Sequence, residues 1–159
     1  IDEVTELAKE LGLILKRKGL KLVTAESCTG GGLAQAVTDI PGSSAWFDRG
    51  FITYSNQSKV EMLQVQEASL EKYGAVSEQV AIEMADGALS NSNADIAISI
   101  TGIAGPGGGK EQKVVGTVYL VCKIKEVDAF CLKEIFSGDR ISVRMQAIIA
   151  ALLLYLKNY

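Results

Sequence analysis

The feature that most constrains this chain is the run ADIAISITG at 94–102. After Asp95 it carries no charge until it ends on a glycine. A strand that is apolar on both faces has to be covered on both faces, and helices usually do the covering. The run therefore predicts an interior strand of a sheet lying between two helical layers.

The flanking sequence supplies those layers. Val4, Leu7, Ala8, Leu11, Ile14 and Leu15 recur at helical spacing over 2–18, and Gly19 ends the repeat. KLVTAE (21–26) reads as a short buried strand. The glycines at 30–32 open a helix, GLAQAVTDI, which Pro41-Gly42 stops. AWFDRGFITYS (45–55) is rich in aromatic and β-branched residues and reads as a strand. In SKVEMLQ, Ser58 and Glu61 are spaced as a capping box. Further helices are expected over 67–73 and from Ser77 to Asn91. After the 94–102 strand, VVGTVYLVCKI and DAFCLKEIF are close enough to form a hairpin. Asp139 caps a final helix. Helices and strands alternate first and the hairpin comes late. The expectation is an α/β fold: a single three-layer αβα domain over 1–159, its mixed sheet holding parallel strands and a late antiparallel hairpin.

A chain of 159 residues, 48% hydrophobic, can bury a core without metal or disulfide staples. The net charge of -3, with no basic tract, points away from nucleic acid and from an acidic membrane surface. The three cysteines, Cys28, Cys122 and Cys131, form no CxxC pair, and the chain has no histidine, so no zinc site is expected. Cys122 and Cys131 could face each other across the hairpin, with packing as the favoured role. Reduced cysteines and an opening that does not read as a signal peptide give a cytoplasmic expectation. The longest apolar run, 147–156, is shorter than the roughly 20 residues that span a bilayer. That stretch is apolar on nearly every face, so it is buried in the core or also feeds a subunit interface; a homo-oligomer is expected.

Four stretches carry candidate chemistry. Ser27 falls just past a strand and just before a helix N-terminus, the edge of an α/β sheet where ligands bind. There it could cap the helix, contact a ligand phosphate, or act as a nucleophile beside N–H groups that hold an oxyanion. Without histidine, a Ser-His-Asp or Cys-His mechanism is impossible. The stretch is not GxSxG either. A nucleophilic serine needs another base, and Lys59 in YSNQSK is the candidate, the alternative being a solvated surface lysine: a place in the first turn of a helix favours its neutral amine, and burial would push the same way. Tyr54 could relay the proton or orient the lysine. The loop SITGIAGPGGGK has five glycines within 102–109, which lets main-chain amides wrap an anion or a flat ring. Glu111 after Lys110 excludes a Walker A loop. Arg140 in FSGDR presents a planar fork of donors suited to a phosphate, or else to a structural ion pair.

Read in order, AESCTGG (25–31), Y-S-N-x-x-K (54–59), TGIAGPGG (101–108) and GDR (138–140) resemble the motifs of the CinA C-terminal domain family. The resemblance spans essentially the whole chain. It is similar to the stand-alone form of that domain, or to a fragment of a longer two-domain protein. It implies hydrolysis of the carboxamide of nicotinamide mononucleotide, giving nicotinate mononucleotide and ammonia, as a salvage step in pyridine nucleotide metabolism. No metal and no cofactor are expected. Ser27 would be the nucleophile and Lys59 the base, with Tyr54 assisting. From the first motif, Glu26, Cys28, Thr29, Gly30 and Gly31 are expected at the substrate. From the third, Thr101, Gly102, Ala104, Gly105, Pro106, Gly107 and Gly108 join them, together with Arg140, which would hold the 5′-phosphate. The alternatives are a silent nucleotide- or phosphate-binding module of the same fold, and an amidase for another small amide. The Ser27–Lys59 distance separates chemistry from binding.

Overall fold

The computed structural model describes residues 2–159. Strands β1 (Leu22–Glu26), β2 (Phe47–Ile52), β3 (Ile96–Gly102), β4 (Thr117–Ile124) and β5 (Phe130–Ile135) form one sheet in the order β2-β1-β3-β4-β5. β1 runs parallel to both β2 and β3, while β4 and β5 pair antiparallel. This is the expected mixed sheet with its late hairpin.

β3 shows why both faces need covering. Ile96, Ile98 and Ile100 point to one layer, where they meet α1 (Glu3–Lys18), α2 (Gly32–Thr38) and α6 (Arg140–Asn158) through Leu11, Leu15, Leu33, Val143, Ala147 and Ala151. The small residues Ala97 and Ser99 point to the other layer. Their size lets α5 (Glu78–Ser90) lie close, and the Ser99 hydroxyl donates to the Ala81 carbonyl at 2.6 Å. Val80, Met84 and Ala85 of α5 form that second core with Val23, Ala25 and Leu63, the last from α3 (Asn56–Leu63). α4 (Glu67–Tyr73) buries no residue fully.

Three expectations are corrected. α3 is capped by Ser55, whose hydroxyl accepts from Ser58 N–H at 3.0 Å, and not by Ser58 with Glu61. Ser58 is already helical and donates its hydroxyl to the Ser55 carbonyl. Cys122 and Cys131 do not face each other. Cys122 sits opposite Phe130 and Cys131 opposite Val121, so they point to opposite faces of the sheet, and all three cysteines are free. The last helix is longer than its apolar run: α6 has the length and composition to cross a bilayer, yet its buried face packs on the sheet core through Val143, Ala147, Ala151 and Leu152. A short 3-10 turn at Ser43–Ala45 has no counterpart in the sequence reading.

The parallel strands decide where the site lies. β1, β2 and β3 all end at the same edge of the sheet. Their following loops therefore converge there, and α6 begins beside them.

Candidate active site

Ser27 follows β1, and its N–H extends the ladder by donating to the Ile100 carbonyl at 3.0 Å. Its Oγ lies 3.0 Å from Lys59 Nζ. Lys59 projects from the first turn of α3 into the protein and is only 1% exposed. Among the described residues no carboxylate pairs with it. Its amine instead donates to the Thr53 carbonyl at 2.8 Å and the Tyr54 carbonyl at 3.1 Å. Desolvation dominates its titration and lowers the pKa from 10.5 to about 8, against a smaller opposing Coulombic effect of Cys28. The three contacts suit both protonation states. An ammonium donates to all three oxygens. A neutral amine donates to the two carbonyls and turns its lone pair to the Ser27 hydroxyl. A proton can pass between the two side chains without rearrangement.

The turn after Ser27 is tight. Gly30 N–H donates to the Ser27 carbonyl at 3.0 Å, and Gly32 N–H to that of Thr29 at 2.9 Å. Gly31 has φ +98°, and a side chain there would meet Ile52 Cδ1 at 2.9 Å. Among the described residues the Cys28 N–H, next to the Ser27 side chain, has no acceptor. The Cys28 thiol is pushed up to about 11, mainly by burial, so it is protonated at neutral pH and a poor nucleophile.

A cavity of about 290 Å³ opens over this pair. Ser27, Cys28, Tyr54 and Lys59 line it, as do Thr101, Gly102, Ala104, Gly105, Gly107, Gly108 and Arg140. A larger cavity, of about 560 Å³, lies between β5 and α6 against Leu132, Phe136, Ile149 and Leu153, but it holds no nucleophile beside a base. Chemistry rather than size selects the smaller one. In the glycine-rich loop the N–H groups of Ala104, Gly105, Gly107 and Gly108 have no acceptor among the described residues. They are available to an anion.

Other expected site residues are placed differently. Glu26 does not line the cavity. Its carboxylate is 1% exposed and accepts from Thr29 Oγ1 at 2.6 Å, Leu33 N–H at 2.8 Å and Ala34 N–H at 3.0 Å. Three donors consume it, and its negative charge caps the positive end of α2. Thr29 is tied to Glu26, and Gly30, Gly31 and Pro106 do not line the cavity. Tyr54 orients Lys59 through its main-chain carbonyl. Its hydroxyl accepts from Arg140 Nη2 at 3.0 Å, with no hydrogen bond to Ser27 or Lys59. Arg140 Nη1 donates to the Gly105 carbonyl at 2.8 Å, so this side chain bridges the second and third motifs.

Four wall residues were not picked out from the sequence: Asn56, Ala75, Val76 and Ile103. Ala75 and Val76 precede α5 in a stretch with no glycine cluster or charge to mark it. They reach the cavity because Thr101 Oγ1 donates to the Ala75 carbonyl at 2.9 Å.

The profile of the CinA C-terminal domain matches residues 4–159. The chain belongs to the CinA C-terminal domain family. Within that family it is 54% identical over 154 residues to the nicotinamide-nucleotide amidohydrolase PncC of Enterobacter agglomerans, covering 97% of this chain and 94% of the relative. The PncC of Escherichia coli K12 is 52% identical over 151 residues, 95% of this chain and 92% of that one. The crystal structure of the competence/damage inducible protein CihA from Agrobacterium tumefaciens superposes with a TM-score of 0.96 at 42% identity, over 99% of this chain and 96% of that one. The two chains share the same fold.

Proposed function

We propose that this chain is a nicotinamide-nucleotide amidohydrolase working through a Ser27 acyl-enzyme with Lys59 as its base. The observation that carries the reading is the 3.0 Å approach of Ser27 Oγ to a buried lysine amine with no carboxylate partner among the described residues. A binding module would gain nothing from desolvating that amine. The names of the PncC relatives supply the substrate class, a nicotinamide nucleotide.

In the proposed cycle, neutral Lys59 takes the Ser27 proton as Oγ attacks the carboxamide carbon. The Cys28 N–H faces the developing oxyanion; one such donor is worth about 3 kcal/mol. The intermediate collapses as the lysine ammonium gives its proton to the departing nitrogen, which leaves as ammonia. Neutral Lys59 then takes a proton from water, whose oxygen attacks the ester carbon. Collapse returns the proton to Ser27 and releases the carboxylate. Ala75, Val76 and Ile103 offer the pyridine ring apolar walls. Arg140 and the unpaired amides at 104–108 hold the 5′-phosphate, and Tyr54 braces Arg140. We place the reaction in the cytoplasm as a pyridine nucleotide salvage step, needing no cofactor. A homo-oligomer is the proposed assembly, with the exposed Ile141 and Met145 available to a self-contact.

The test is product analysis. Nicotinamide mononucleotide incubated with the protein should yield nicotinate mononucleotide, separated by chromatography. Unchanged substrate at micromolar enzyme would overturn the proposed activity.

A further inference from the structure

Arg144 is half-buried one helical turn beyond Arg140, and among the described residues no carboxylate pairs with it. Its donors go to two main-chain carbonyls: Nε to Cys28 at 3.1 Å and Nη2 to Thr29 at 3.2 Å. Both belong to the turn that directly follows Ser27. On the other side of the same turn, the Glu26 carboxylate takes the Thr29 hydroxyl and the N–H groups of Leu33 and Ala34. A cation faces the turn's carbonyls, and an anion ties the turn's Thr29 hydroxyl to the first N–H groups of α2.

Peptide planarity carries the effect to the nucleophile. In a trans peptide the carbonyl and the following N–H point in opposite directions. Fixing the Thr29 carbonyl therefore fixes the Gly30 N–H. That N–H donates to the Ser27 carbonyl at 3.0 Å. Fixing the Ser27 carbonyl in turn fixes the Cys28 N–H, the unpaired donor beside Ser27 Oγ. The guanidinium packs directly on this turn: a Cβ at position 30 would lie 3.3 Å from Arg144 Nη2.

We infer that Arg144 is a positioning residue for the reaction, holding the turn 27–30 so that the Cys28 N–H is aimed at the oxyanion formed on the Ser27 adduct. The inference rests on the reading of Ser27 as the nucleophile. It assigns Arg140 and Arg144, which share one face of α6, to different tasks: the first to substrate and loop, the second to the geometry of the turn.

The test compares wild type with Arg144→Met, which keeps the stem and loses the fork, and Arg144→Lys, which keeps the charge. Ammonia release from nicotinamide mononucleotide gives kcat and KM, and amide hydrogen exchange is followed over 27–31. For Arg144→Met, kcat should fall about 30-fold or more, approaching the about 100-fold cost of losing an oxyanion donor, with KM within about threefold. Exchange over 27–31 should quicken while the thermal midpoint stays close to wild type. Arg144→Lys should recover part of kcat, since an ammonium can reach one of the two carbonyls. If Arg144→Met keeps kcat within about twofold of wild type, or changes only KM, the assignment is overturned. If Arg144→Met does not fold, Arg144→Lys decides: a lowered kcat at unchanged KM supports the assignment and wild-type kinetics overturn it. If wild type itself releases no ammonia, the proposed activity fails, and exchange alone then decides whether Arg144 holds the turn: faster exchange supports that and unchanged exchange overturns it.

Discussion

Lys59 can take the Ser27 proton only as a neutral amine, and burial sets the pH at which that form dominates. Its pKa is lowered to about 8, so the competent form is the minor one at neutral pH and the major one above pH 8. kcat/KM for nicotinamide mononucleotide should rise with pH, with a midpoint near 8. A profile flat from pH 6 to 9 would remove Lys59 as the base. Arg140 makes a different prediction. Arg140→Ala deletes a cation at the proposed phosphate site, so KM should rise at least about tenfold with a smaller change in kcat. Steady-state kinetics with nicotinamide mononucleotide check this, and an unchanged KM would remove Arg140 from the phosphate site. At this scale the sequence was legible where a side chain acts by its own chemistry. Serine, a base that is not histidine, and a guanidinium can be argued from residue type and position. Glu26, Tyr54 and Arg144 were not legible in the same way, because each works through main-chain groups. Glu26 receives amides of a helix seven and eight residues on, Tyr54 presents its carbonyl, and Arg144 grips carbonyls 115 and 116 residues away in sequence.

α3 places Lys59, and α5 places α3. The contact is made at Gly87, where a Cβ would sit 1.9 Å from the Leu63 carbonyl at the end of α3. The obstacle is main chain, so it cannot rotate away as a side chain would. Gly87→Ala should push α3 outward, costing about 1–3 kcal/mol of stability and lowering turnover with it. Urea unfolding read beside ammonia release checks this. Unchanged stability would mean that the two helices slide freely past each other. Elements with strong local signals were readable: the glycine that ends α1, the serine before α5, the aspartate before α6. The cap of α3 was harder, because Ser58 and Glu61 match the capping-box pattern while the helix starts three residues earlier, with Ser55 as its cap.

Over the whole molecule, three parallel strands deliver three motifs to one edge of the sheet, and α6 adds its N-terminal arginines from above. The sandwich was legible because β3 is apolar on both faces and the helical repeats around it are regular. The site was legible only in pieces. Its walls come from segments near 27, 54, 75, 104 and 140, and spacing along the chain does not say which of them touch. Ala75 and Val76 illustrate the gap: they enter the site only through the fold. The site's central pair is 32 residues apart in sequence and 3.0 Å apart in space. The most direct test of its proposed role is ammonia release from nicotinamide mononucleotide by Ser27→Ala beside wild type, with ligand binding measured on both. The account predicts release by wild type and none detectable from Ser27→Ala, which still binds the nucleotide. Release from Ser27→Ala at the wild-type rate would contradict it.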